Sequence, residues 1–360
     1  MFIKVLTAIA HEKFSDIHLH EGELPRWRTG GGDIELIPNA EPITAKDFEM
    51  ILQSSVSAED RGEDLKVQER LVKFGGDIDL AATIGDTRFR ISMYWHGDRK
   101  LGASMRKVEK VIPKLETLGL PDYILKIIDR RNGIIFVTGE TNSGKSTTLA
   151  AFVDFFAKRL VHIITVENPV EFVHQSRSPG ALISQREVGA GKDAESFDRA
   201  LRAALREDPD IILVGEIRDR ETAEVALTAA DTGHLVLCSL HTRSGPSTIE
   251  RLMNLFPAEK QNAILGQLAS SFVLCLSQTL IKSVEGNSRV LAYEIMTNTG
   301  SIAANIQKGK IRQLVQDITD ARGDGEMCTM NHTLDRLVRE QRITAESARR
   351  ASYDPTNLHV

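Results

Sequence analysis

Four short, uninterrupted apolar runs do most to constrain what this 360-residue chain can fold into. They read GIIFVTG (133–139), HIITVEN (162–168), DIILVGE (210–216) and HLVLCSL (234–240), and helical stretches separate them. Continuous apolar strands are typical of a parallel sheet whose two faces are both covered by helices. The pattern therefore predicts an α/β domain over residues 121–360, which ends in two short amphipathic helices from about residue 330.

Residues 1–107 have a different pattern, which predicts a smaller α+β domain. ITAKDFEMILQ (43–53) has helical spacing, whereas TRFRISMYW (87–95) alternates between apolar and polar residues. The alternation puts Phe89, Ile91, Met93 and Trp95 on one face of a strand and turns Arg90 away from it. The charged stretch 108–120, which contains a proline, suits a linker between the two domains.

Charge and cysteine content exclude several classes of protein. The net charge of −5 provides no global basic field for nucleic acid or anionic lipid. No apolar run approaches the roughly 18 residues of a membrane span. Three cysteines without a C-x-x-C pair argue against a disulfide framework and a zinc module. We expect a cytoplasmic protein that does not insert into the membrane and has no nucleic-acid partner.

The segment GETNSGKST (139–147) matches the phosphate-loop pattern G-x-x-x-x-G-K-S between a predicted strand and a predicted helix. Lys145 should reach the terminal phosphates of a nucleotide, and the Ser146 hydroxyl should bind magnesium. The alternative is a glycine-rich strand-to-helix turn with an incidental lysine. The predicted nucleotide-binding residues are Gly139, Thr141, Asn142, Ser143, Gly144, Lys145, Ser146 and Thr147.

Two residues of this loop are unusual, because such loops prefer small side chains where Glu140 and Asn142 stand. If the backbone at Asn142 requires a positive φ, asparagine is among the non-glycine residues most able to supply it. Glu140 lies early in the loop, where its side chain can face solvent. We therefore expect the loop to bind phosphate despite both departures.

Acidic residues follow two of the predicted strands, at the sheet edge where open α/β folds bind ligands. We assign Glu216 to the magnesium ion and Glu171 to the attacking water, with Glu167 as the second candidate for the water. Solvated loop acids are the alternative for each carboxylate.

Two histidines flank another strand, but they cannot share one metal ion. His234 and His241 are separated by seven residues, which span roughly 23 Å in a straight strand. His241 lies at the carboxyl end and is predicted to contact the terminal phosphate. His234 should lie near the opposite edge, either at an interface or in a structural role.

Longer segments around these residues carry a family resemblance. GETNSGKSTTLAA, ITVENPVEFVHQ, LREDPDIILVGEIRD, LTAADTGHLVLCSLHT and SQTLIK together resemble the secretion and type IV pilus motor ATPases, and within them the PilT-like branch. SDIHLHEGELPRWR and TRFRISMYW extend the similarity from about residue 15 to 350.

The resemblance implies an N-terminal PAS-like domain, a RecA-like ATPase domain that binds ATP and Mg²⁺, and a homohexameric ring. It also implies an inner-membrane pilus or secretion platform protein as partner, which would place the protein at that membrane indirectly. The family's nucleotide-reaching arginines correspond to Arg90 and Arg106, with Arg99 a weaker candidate. Plain surface arginines are the alternative.

Two departures limit what the resemblance implies. Asn168 stands where an aspartate is usual, and Ala303 and Gln307 replace the two arginines of a charged signature in retraction motors. The expected function is a motor ATPase for pilus retraction, with a conjugative or type IVB secretion ATPase as the alternative. A RecA-like nucleic-acid translocase and a non-catalytic nucleotide-binding scaffold fit the sequence less well, because the chain is acidic and both strand-end acids are present.

Overall fold

The computed structural model describes residues 12, 14–54, 71–72, 76–84, 87–108, 111–189, 192–286, 288–321 and 326–360. The chain divides into two compact units. The first comprises residues up to 109 together with 285–289, and the second comprises residues 110–284 and 290–360.

The first unit is built on an antiparallel sheet of six strands in the order β3-β2-β1-β6-β5-β4. A capped helix, α1, begins after Thr44, whose backbone N–H donates to the Asp47 carboxylate at 2.9 Å. The elements are β1 (Phe14–His20), β2 (Arg26–Thr29), β3 (Ile34–Leu36), α1 (Ala45–Gln53), β4 (Asp77–Ile84), β5 (Thr87–His96) and β6 (Lys100–Val108).

The alternating pattern of β5 places its apolar side chains in the core of this unit, as the sequence predicts. Phe89, Ile91 and Met93 are completely buried, and Trp95 packs against the same cluster. Arg90 lies on the other face of the strand and is partly exposed. The prediction for this strand is therefore confirmed.

The second unit contains a seven-stranded sheet in the order β13-β12-β7-β11-β10-β8-β9. The six strands from β12 to β9 pair in parallel, which confirms the predicted parallel sheet. Four of these strands are the predicted apolar runs, and the other three were not predicted. The strands are β7 (Gly133–Thr138), β8 (His162–Glu167), β9 (Leu182–Glu187), β10 (Ile211–Val214), β11 (Leu235–Leu240), β12 (Phe272–Lys282) and β13 (Arg289–Thr297).

Two hydrophobic clusters explain why the central strands are apolar throughout. On β7, Ile134 and Phe136 belong to one cluster, whereas Ile135 and Val137 belong to the other. Successive side chains of a strand point to opposite faces, so both faces of this sheet need apolar residues. Because these strands run in parallel, their carboxyl ends lie at one edge of the sheet, which carries the segment after β7 together with Glu216 and His241.

Helices cover the sheet and form the carboxyl end of the chain. The two predicted C-terminal helices are present as the last two helices given below. Among the described residues, no helix has the length and hydropathy of a membrane span. The helices are α2 (Ile124–Ile128), α3 (Lys145–Phe156), α4 (Phe197–Ala204), α5 (Arg220–Asp231), α6 (Gly245–Asn254), α7 (Ala258–Ser271), α8 (Gly300–Gln307), α9 (Ile311–Asp320), α10 (Met330–Arg339) and α11 (Ala345–Ala351).

Candidate active site

The segment between β7 and α3 forms a loop that leads directly into the amino end of the helix. Gly139, Asn142 and Gly144 all have positive φ, at +145°, +65° and +89°. Asn142 is therefore left-handed, a conformation that asparagine adopts more readily than most residues, and Gly144 is the residue that precedes the first turn of α3. Backbone N–H groups at a helix amino end favour an anion, so the loop has the geometry of a phosphate site.

A buried glutamine holds this loop against β12. The Gln278 side chain donates from Nε2 to the Ser143 carbonyl at 2.8 Å and accepts from the Thr148 hydroxyl at 3.0 Å. Gly139 passes so close that an added Cβ would lie 2.3 Å from the Gln278 carbonyl oxygen and 2.5 Å from Ser143 Oγ. Sequence reasoning missed Gln278 as a site residue, although the apolar run before it, FVLCLS, is a signal for a buried strand.

The Lys145 ammonium lies within the loop and faces the carboxyl ends of β11 and β10, the next two strands after β7 in the sheet. Its Nζ donates to the carbonyl oxygens of Gly139 and Glu140, each at 2.9 Å. Burial lowers the pKa of Lys145 from its ordinary value of 10.5, whereas the carboxylates of Glu216 and Glu171 raise it. The structure thus brings the loop lysine within electrostatic reach of both predicted acids.

His241 connects Lys145 with Glu216. Its Nδ1 lies 3.5 Å from Lys145 Nζ, and its Nε2 lies 3.3 Å from Glu216 Oε1. A neutral imidazole with its proton on Nε2 can donate to the carboxylate and accept from the ammonium. Glu216 Oε2 also pairs with Arg218 at 2.7 Å, a contact that was not predicted from the sequence. Lys145, His241 and Glu216 therefore form one connected polar group at the sheet edge.

Glu167 differs from Glu171 in its surroundings. It is the last residue of β8, and its Oε1 accepts hydrogen bonds from the Thr165 hydroxyl at 2.6 Å and from Gln185 Nε2 at 3.2 Å. Burial raises the pKa of Glu167 above its ordinary value of 4.5. Gln185 lies on β9 and also donates to the Phe172 carbonyl at 2.9 Å. Its hydrogen bond to Glu167 therefore helps to join β9 to β8. The arrangement favours Glu171 over Glu167 as the acid available to a water molecule.

Glu140 and His234 lie in different places in the second unit. Glu140 is exposed, as expected, and its Oε1 pairs with Arg243 at 2.7 Å. His234 precedes β11, at the end opposite to His241, and its Nδ1 lies 3.1 Å from the Ala229 carbonyl oxygen. His234 therefore has a structural contact away from the phosphate loop.

In the first unit, Arg90 and Arg106 lie directly opposite each other on β5 and β6. Side chains so paired in an antiparallel sheet share one face. Arg106 Nε donates to the buried Asp16 carboxylate at 2.8 Å. Arg99 lies in the turn between the two strands, with φ at +61°. The sheet thus presents a pair of neighbouring arginines, one of which is oriented by an acid.

The fold and the loop define a class of protein: an α/β nucleotide-binding protein with a phosphate loop at the carboxyl edge of a parallel sheet. A family profile described as "Type II/IV secretion system protein" matches residues 3–357. The chain is 38% identical over 356 residues to the type IV pilus retraction ATPase PilT of Pseudomonas aeruginosa, with 99% of each chain covered.

Solved structures give the same result. A crystal structure of the pilus retraction motor PilT with bound ADP matches with a TM-score of 0.83 at 36% identity, covering 99% of this chain and 98% of that one. The Legionella pneumophila ATPase DotB matches with a TM-score of 0.82 at 26% identity, covering 97% and 94%. The chain belongs to the type II/IV secretion system protein family, among its PilT-like ATPases.

Proposed function

We propose that this protein is a magnesium-dependent motor ATPase that uses the energy of hydrolysis to drive type IV pilus retraction or disassembly. The observation that carries the proposal is the connected group of Lys145, His241 and Glu216 beside the phosphate loop. A scaffold that only bound nucleotide would need the lysine but not the acids. The likeness to PilT over the whole chain supports the same activity.

The residues of the loop would bind the phosphates. Backbone N–H groups of residues 142–146 would surround the phosphates. The Lys145 ammonium would leave the Gly139 and Glu140 carbonyl oxygens and donate to phosphate oxygens instead. Thr141 and Thr147 extend the same loop on either side. His241, in contact with the lysine, would sense the terminal phosphate.

The chemistry of the donors fits magnesium. Ser146 and Glu216 supply hard oxygen ligands, and Mg²⁺ is usually held by one or two protein groups together with substrate phosphates. The described residues contain no group of three or more His, Cys, Asp or Glu that could hold a metal by themselves. When bound, Mg²⁺ would neutralise charge on the phosphates. Glu171 would orient the attacking water and accept its proton.

The first unit would contribute arginines to a neighbouring subunit. We propose that it is a PAS-like domain, that the second unit is RecA-like, and that six chains form a ring. Arg90 and Arg106 would then reach the nucleotide of the adjacent subunit and stabilise charge on the transferred phosphoryl group. The Asp16 carboxylate supports this role for Arg106, because it fixes the guanidinium at Nε. Closure of the ring around nucleotide would convert binding energy into movement.

The proposed partner is an inner-membrane platform protein of the pilus or secretion machinery, with the ATPase on the cytoplasmic side. A second candidate function, as a conjugative or type IVB secretion ATPase, is favoured by one observation. Ala303 and Gln307 on α8 replace the two arginines of the retraction signature, and Gln307 is exposed. Restoration of pilus retraction in a retraction-deficient host would distinguish the first function from the second.

Phosphate release from purified protein tests the proposed activity. We expect ATP- and Mg²⁺-dependent release by the parent chain, no stimulation by DNA, and no release by Lys145→Ala, which removes the loop's ammonium. DNA-stimulated turnover would favour a nucleic-acid translocase, and binding without turnover would favour a scaffold.

Mixed rings test the shared site. Arg90→Ala and Lys145→Ala should each be inactive alone, because one lacks the arginine and the other lacks the loop lysine. Mixing them should restore part of the activity, since an intact loop in one chain can meet an intact arginine from another. Light scattering confirms that mixed rings form. Zero activity at every mixing ratio in such rings would contradict an arginine acting in trans.

A further inference from the structure

The acid within the phosphate loop has a partner that the proposed mechanism does not use. Arg243 lies two residues after His241, in the segment between β11 and α6. Its NH2 and Nε lie 2.7 and 2.8 Å from the same oxygen of Glu140, Oε1. The pair borders a cavity of about 370 Å³ beside Gly139.

Glu140 has two opposing effects on phosphate binding, one through its backbone carbonyl and one through its carboxylate. Its carbonyl oxygen accepts a hydrogen bond from Lys145, which helps to position the ammonium. Its carboxylate places a negative charge in the loop that must receive a polyanion, and like charges repel. An unpaired Glu140 would therefore offset part of the attraction that Lys145 provides.

We propose that Arg243 is a positioning residue that neutralises Glu140 and so sets the nucleotide affinity of the loop. This inference rests on the proposed function, since it concerns the same nucleotide. Both side chains are largely exposed, with relative exposures of 70% and 67%. Exposed ion pairs contribute little to stability, so the pair is better suited to adjusting local charge than to holding the fold.

The pair also joins two segments that must act together. Glu140 belongs to the loop that contains Lys145, and Arg243 belongs to the segment that begins with His241. Neutralisation across this boundary depends on both segments being in place. Arg243 thus acts on the phosphates through Glu140 rather than by direct contact.

A double-mutant cycle on the full chain separates this role from direct contact. The variants are Arg243→Gln, Glu140→Gln and the double variant, with affinity measured by titration of a fluorescent ATP analogue at low salt. We expect Arg243→Gln to weaken binding about 2- to 5-fold, the range for an exposed charge interaction. Glu140→Gln should bind at least as tightly as the parent, and the double variant should return to within about 2-fold of it.

Ionic strength provides a readout that a merely structural contact would not change. The deficit of Arg243→Gln should shrink in 1 M salt, where screening acts over about 3 Å. The matched control is Arg199→Gln, which breaks an exposed pair with Glu195 on the same unit but outside the loop, and it should leave the affinity unchanged. Equal melting temperatures confirm that all variants fold.

Two results would overturn the proposal. If the double variant binds as weakly as Arg243→Gln, then Arg243 contacts phosphate itself; if Arg243→Gln binds like the parent, the pair has no effect on nucleotide. The double-mutant cycle measures nucleotide binding and does not depend on hydrolysis. If the parent chain binds ATP without hydrolysing it, the proposed motor activity is refuted, but the cycle still tests the role of Arg243.

Discussion

Asn142 allows a quantitative test of the loop geometry, because its backbone holds φ at +65°. Left-handed backbone costs an L-residue roughly 1–2 kcal/mol, a β-branched side chain adapts to it poorly, and glycine adopts it freely. Asn142→Val should therefore disfavour the phosphate-binding conformation by about 1–2 kcal/mol relative to Asn142→Gly. That difference corresponds to about 5- to 30-fold weaker nucleotide binding.

Titration with a fluorescent ATP analogue measures this difference, and thermal unfolding of each variant shows whether the fold is intact. Thr141→Val is the matched control, because Thr141 is the adjacent exposed residue and is not among those with positive φ. It places the same side chain in the loop without the strained backbone, so it should bind more tightly than Asn142→Val. Equal affinities of Asn142→Gly and Asn142→Val would refute the reasoning, and an equal loss in Thr141→Val would show that bulk, not φ, is the cause.

Three further predictions concern the surroundings of the loop. Glu171→Gln and Glu216→Gln should bind the ATP analogue but release phosphate at least about 100-fold more slowly, because the first removes the group that accepts the water's proton and the second removes a magnesium ligand; a parental rate in either variant would remove its proposed role. Gly139→Ala should destabilise the unit by about 1–3 kcal/mol, because its Cβ would lie 2.3 Å from a carbonyl oxygen, whereas the control Gly266→Ala meets nothing within 4 Å; similar melting temperatures would contradict this. The raised pKa of Glu167 means that the folded chain retains a proton that the unfolded chain releases, so stability should fall as pH rises above 4.5. Glu167→Gln should flatten that slope in denaturant titrations, and an unchanged slope would assign it to other groups.

The sequence was sufficient to predict the parallel sheet, because its four central strands are apolar throughout and helices separate them. It did not identify β9, since four of the six residues in LISQRE are polar and none of its side chains is fully buried. β12 and β13 were also not predicted, although both contain apolar runs whose side chains are largely buried. β9 lies at the edge of the sheet, where a strand needs less apolar surface and its periodicity is correspondingly weak.

Individual candidate residues can be predicted from the sequence where local chemistry dictates them. Lys145 and Ser146 follow from the loop motif, and asparagine at position 142 is compatible with the positive φ that the structure shows there. Gln278 and Arg243 could not be found in this way, because their partners lie more than 100 residues away in the chain. Their importance arises from the order of strands in the sheet, which places β12 and β11 on either side of β7.

The electrostatics of Lys145 explain why the lysine and the acids should give different phenotypes. Burial lowers its pKa, and the Glu216 and Glu171 carboxylates counter that shift, so the acids help to keep the ammonium charged before nucleotide arrives. The same carboxylates repel an incoming polyanion. Neutralising one acid therefore removes one source of repulsion between the site and the nucleotide. A phosphate can then take the place of that acid as the partner of the ammonium, so nucleotide binding should persist. Removing the lysine eliminates the attraction itself, which no other side chain of the loop supplies.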